Sequence, residues 1–69
     1  MTIRTLNSTY VLQGSTLYRN GELYTDSVVD HNEPIVGRQF LVVYSEGDRM
    51  MYIKTSTITG VSDGELETV

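Results

Sequence analysis

Through much of this chain hydrophobic and polar residues alternate with a period of two, the pattern of a β-strand with one buried face. Residues 2–6 and 9–13 read as extended segments with a bend at Asn7-Ser8, and Ile3, Leu6, Tyr10 and Leu12 are the expected buried positions. Gln13-Gly14-Ser15 turns the chain into Thr16-Leu17-Tyr18-Arg19, which meets Asn20-Gly21 and returns as Glu22-Leu23-Tyr24-Thr25. Asn-Gly between such runs predicts a type I′ hairpin, because both central residues of that turn need positive φ. A two-residue loop then sets the register: Arg19 opposite Glu22, Tyr18 opposite Leu23, Leu17 opposite Tyr24 and Thr16 opposite Thr25.

From Gln39 to Ile58 the alternation fails, because the intervening residues are apolar too. Two runs rich in β-branched and aromatic residues flank Glu46-Gly47-Asp48-Arg49, a second hairpin signal. With Gly47-Asp48 at the centre of the turn, Tyr44 opposes Met51, Val43 opposes Tyr52 and Val42 opposes Ile53. One face then carries Phe40, Val42, Tyr44, Met51 and Ile53, and the other Leu41, Val43, Met50 and Tyr52. A strand buried on one side alternates apolar and polar positions. Here both faces need cover, so either the sheet closes on itself or another chain supplies the second cover.

The remaining segments are less regular. Val28-Val29 fits a short strand, followed by polar turn-forming residues up to Pro34, with Ile35 and Val36 tucked back as a loop anchor before Gly37. After Lys54, residues 55–61 form another β-compatible run, with Gly60 as a bulge or strand end. No stretch places apolar residues at helical spacing behind a cap. The expected fold is all-β: a small five- to six-stranded antiparallel barrel or sheet, SH3-like, with two hairpins. Residues 1–61 form a single β domain and 62–69 an acidic, flexible tail carrying Asp63, Glu65 and Glu67.

Composition narrows what such a domain does. With 69 residues the chain buries only about 60% of the surface it exposes when unfolded, so its core is thin. Small domains of this kind use disulfides, metals or oligomerisation as staples. There is no cysteine and a single histidine, which leaves self-association or a partner chain. A net charge of −4 and five scattered cations argue against a nucleic-acid surface. Neither a membrane-length apolar run nor a signal-peptide core is present in the sequence, so the expected compartment is the cytoplasm.

Catalytic chemistry has little to stand on. His31 lies in the polar loop without a nucleophilic partner motif, and a loop histidine with no catalytic duty is the better reading. The acidic residues of the tail, and Asp26 and Asp30 near His31, read as solvated carboxylates rather than metal ligands. No glycine pattern forms a phosphate-cradling loop. The expectation is a non-enzymatic protein without metal or cofactor. Tyr10, Tyr18, Tyr24, Tyr44 and Tyr52 all fall on predicted strands, where half-buried packing accounts for at least three of them. Candidate partner-binding residues are Leu41, Val43, Met50 and Tyr52 of the second hairpin, with Tyr18 and Leu23 of the first.

At Asn7-Ser8-Thr9-Tyr10 and Thr55-Ser56-Thr57-Ile58, with Val61 beyond, the chain resembles short β-rich proteins encoded by phages and prophages of Gram-positive bacteria. Those proteins open on a Thr-x-Asn-Ser-x-Tyr-like segment and close on a Thr-Ser-x-Val-like strand; Ile58 stands here in place of the valine. The resemblance implies a phage origin, hence the cytoplasm of a host bacterium, and supplies no catalytic residues. The expected function is an accessory protein that binds another protein, for example inhibiting a host defence factor such as a CRISPR effector. A structural or virion-assembly component working as a homo-oligomer is the alternative. A nucleic-acid-binding barrel comes third, because of the charge.

Overall fold

A computed structural model describes residues 1–62. Seven strands form one antiparallel sheet: β1 (Thr2–Thr5), β2 (Thr9–Gln13), β3 (Thr16–Arg19), β4 (Glu22–Thr25), β5 (Val28–His31), β6 (Gln39–Glu46) and β7 (Arg49–Ser62). Their order across the sheet is β4-β3-β2-β1-β7-β6-β5. All six neighbouring pairs are antiparallel, so the two edge strands, β4 and β5, run in the same direction. The short link 26–27 carries the chain straight on from one edge of the sheet to the other.

That link requires the sheet to curl until its edges approach. They meet through a few contacts and not through a ladder: Val28 N–H donates to the Ser15 carbonyl at 2.9 Å, and the Tyr24 and Tyr44 hydroxyls lie 3.5 Å apart. The sheet is not closed into a barrel. The curl has a local cause. One-residue register shifts occur in the β1–β7, β3–β4, β5–β6 and β6–β7 pairs, and each bulge bends its strand and adds twist. β7 is the hinge of the arrangement: its first part pairs with β6, and from Ile58 onward it pairs with β1.

The core fills the space inside the curl. Ile3, Tyr10, Leu12 and Leu17 from β1–β3 pack against Phe40 and Val42 of β6 and Ile58 of β7, flanked by Met1, Tyr24, Val28 and Ile53. At about 1.5–3 kcal/mol for each fully buried side chain, the five fully buried residues, Ile3, Leu17, Phe40, Val42 and Ile58, make the thin core that the chain length implies. The chain start is tied in: the Met1 amine donates to the Leu12 carbonyl, and Leu12 N–H donates to the Met1 carbonyl. Thr55 is the buried polar residue among those described. It sits in the β6–β7 bulge, where its hydroxyl accepts from Phe40 N–H at 3.1 Å and donates to the Ser56 carbonyl at 2.7 Å. The hydroxyl thus satisfies a backbone donor that the register shift leaves without its ladder partner.

Both predicted hairpins form. Asn20 and Gly21 take φ of 51° and 85°, and Glu46 pairs with Arg49 across Gly47-Asp48. Several expectations need correction. Seven strands form rather than five or six. Leu6 is 69% exposed, because the bend after Thr5 turns it away from the core. Leu17 opposes Thr25, not Tyr24, and Tyr24 becomes the extra residue of a bulge. Asp30 and His31 continue β5 rather than opening a turn, and Ile35 and Val36 stand exposed instead of anchoring their loop. Strand β7 extends through Ser62; the rest of the expected acidic tail, residues 63–69, lies outside the described residues.

Candidate functional site: the outer face of β5, β6 and β7

The two faces of the main hairpin have opposite fates. Val42↔Ile53 and Tyr44↔Met51 are opposed pairs on the side of the core, with Val42 fully buried and Ile53 packed against the cluster. Leu41, Val43 and Ser45, opposite Lys54, Tyr52 and Met50, alternate with them and so point outward. Tyr52 is 69% exposed and Met50 59%, while Leu41 and Val43 are half-covered by their neighbours. At the β5 edge the bulge makes Val29 the extra residue, exposed beside this face, and sets Asp30 opposite Val43. Four of the six candidate partner-binding residues are therefore brought onto one outer surface.

The other two are placed elsewhere. Tyr18 and Leu23 form an opposed pair on β3 and β4, and Val11 lies opposite Tyr18 on β2. This row of Leu23, Tyr18 and Val11 is a second, smaller apolar strip on the far half of the sheet. The opposed charges of the two hairpins, Arg19 with Glu22 and Glu46 with Arg49, align in register as expected. Of the tyrosines, Tyr10 is buried, Tyr18, Tyr24 and Tyr44 are half-buried, and Tyr52 is exposed.

His31 is exposed, its ring lying 5.5 Å from that of Phe40 and its Nδ1 2.7 Å from the Asn32 carbonyl. Asn32 in turn caps the start of β6: its side-chain oxygen accepts from Leu41 N–H at 2.9 Å, and its amide donates to the Gln39 carbonyl at 3.2 Å. Among the described residues no group of three or more His, Asp or Glu is placed to hold a metal ion.

One feature had no sequence signal. Between β7 and the β1–β2 bend lies a cleft of about 280 Å³, bordered by Arg19, Tyr24, Lys54 and Ser56 together with Asn7 and Ser8. These residues are far apart in the sequence, and only the curl of the sheet brings them together. Comparison with protein-family models, curated proteins and solved structures gives no match.

Proposed function

We propose that this chain is a small protein-binding module that works without catalysis, SH3-like in using a short curled antiparallel sheet as a rigid platform. The observation that carries this reading is the outer face of β6 and β7. Tyr52 and Met50 stand mostly exposed there, beside Leu41 and Val43, on strands whose opposite face is already the core. Tyrosine and methionine are side chains that interfaces favour, combining large apolar area with a polar tip or an adaptable thioether. An accessory inhibitor of a host protein is one form of such a module.

The test is a pull-down with three forms of the protein. A partner captured by the wild type and by Leu23→Asp, but lost with Tyr52→Asp, supports the outer face as the binding surface. Equal capture by Tyr52→Asp overturns it.

The second strip favours one other reading, a homo-oligomer in which the β6–β7 face of one copy seats on Leu23, Tyr18 and Val11 of the next. Two different patches on one chain produce head-to-tail assembly, which closes into a ring or grows. Sedimentation at micromolar concentration tests it. Tyr52→Asp and Leu23→Asp should each be monomeric alone, and their mixture should form a dimer that grows no further.

A further inference from the structure

We infer that the cleft between β7 and the β1–β2 bend is a binding site for a small oxyanion, of the phosphate or phosphomonoester class. The first reason is charge. The chain carries a net charge of −4, yet the lining of the cleft includes Arg19 and, leaving β7 on its outer side at the rim, Lys54, and no carboxylate among the described residues. Neither cation has a side-chain hydrogen-bond or ion-pair partner among the described residues. Arg19 still acts on the cleft wall: its charge opposes the other influences that hold the Tyr24 hydroxyl protonated.

The second reason is the hydrogen bonding of two hydroxyl groups. Ser8 Oγ accepts from the Asn20 side-chain amide at 3.4 Å, and Ser56 Oγ accepts from Asn7 N–H at 3.3 Å. Each hydroxyl thus has one of its two lone pairs engaged locally, and its O–H has no acceptor among the described residues, so it can donate to a ligand. Asn7 in the same lining carries two amide donors beside one acceptor oxygen. A cleft with two cations and a surplus of donors suits a ligand made of acceptors. A guanidinium fork with an ammonium point charge is a common pair for gripping tetrahedral phosphate.

The third reason is the backbone. Strand β7 pairs with β1 only from Ile58 onward, so among the described residues its earlier part has no ladder partner on that side. The cleft lies along this stretch, and its lining reaches Tyr10 of the core and Ile53, which packs against the core. Ligand sites favour such clefts. A volume of about 280 Å³ admits phosphate with a small organic substituent and is too small for an extended ligand. Glu22, opposite Arg19 on the neighbouring strand, stands outside this lining and limits affinity by competing for the guanidinium.

The test is an amide NMR titration of the full chain with inorganic phosphate, with phosphoethanolamine, and with sodium chloride at matched ionic strength. Saturable shifts confined to Asn7, Ser8, Arg19, Ser56 and their neighbours are expected with a phosphate ligand and not with chloride. Arg19→Gln and Lys54→Gln, both at exposed positions, should each weaken binding by about tenfold or more while keeping a folded spectrum. Tighter binding of phosphoethanolamine identifies an esterified ligand, and equal binding identifies the free ion. Shifts no larger than those in chloride overturn the site, as does saturable binding unchanged in both variants.

Discussion

Tyr24 and Tyr44, twenty residues apart, meet edge to face, with ring centroids 5.6 Å apart, planes at 82° and hydroxyls 3.5 Å from each other. They join β4 to β6 across the seam where the sheet lacks a ladder. An edge-to-face pair contributes about 0.5–1.5 kcal/mol beyond the area it buries. Tyr44→Ala should therefore destabilise the fold by about 1–3 kcal/mol in urea unfolding. Tyr44→Phe keeps the ring and should cost less than about 1 kcal/mol.

The same contact has a pH signature. The hydrogen bond to Tyr44, then burial, then the charge of Tyr44 raise the Tyr24 phenol above its ordinary value of 10.0, with Arg19 opposing. Below that pH both the folded and the unfolded chain hold the proton, and the contact contributes in full. Above it the unfolded chain ionises first, so stability falls as pH rises towards the folded value. Ultraviolet titration of the phenols should show one group ionising late in the wild type. That group should move towards the ordinary value in Tyr44→Phe, and the alkaline loss of stability should shrink.

Thr55 should be intolerant of an isosteric apolar residue. Thr55→Val keeps the shape but leaves Phe40 N–H without its acceptor. A buried unsatisfied donor costs about 1–3 kcal/mol, whereas Thr55→Ser retains the hydroxyl and should lose less. Chemical denaturation of the two variants side by side decides the point.

The two faces of the main hairpin should respond differently to the same charge. Val42→Asp puts a carboxylate among fully buried apolar residues and should abolish folding. Tyr52→Asp, at a mostly exposed position, should stay within about 1 kcal/mol of wild type and keep its circular dichroism spectrum. Equal unfolding by both would show that the outer face is needed for the fold itself.

Gly21 sits at φ +85° with nothing within 4 Å of a Cβ built on it. A bulkier residue there meets open space, so its cost is purely conformational. Gly21→Val should lose about 1–2 kcal/mol, read as a lower melting temperature with an unchanged fold.

What the chain's residues disclose is mostly local. Asn20-Gly21 and Gly47-Asp48 announce their hairpins because turn chemistry is carried by adjacent residues, and the second turn fixes which residues of β6 and β7 share a face, though not which face is the core. The errors arise where long-range pairing decides. Leu6 looks like a strand residue, but its backbone N–H donates to the Thr57 carbonyl from a bend, and its side chain is left outside. Tyr24 leaves its predicted partner at a bulge, and its ring meets Tyr44, twenty residues away, across the seam. Asp30 and His31 pair with Val43 and Val42, more than ten residues away, despite their turn-forming character. The outer face was legible as a surplus of apolar positions. The cleft at Arg19 and Lys54 was not, since four separate segments make it.

The link at residues 26–27 makes the chain order and the sheet order the same circle cut at different points. Starting at β5 and passing from β7 to β1, each strand hydrogen-bonds to the next along the chain. Thr2 and Ser62 are directly opposed partners, so a tight turn can join them in place of residue 1 and residues 63–69. A circular permutant opened between Asp26 and Ser27 would be a plain meander in which every ladder joins consecutive strands. Its contacts become more local, and it should fold faster than the natural arrangement, while depending on the Tyr24–Tyr44 contact and the Val28–Ser15 backbone bond to keep the two edges together.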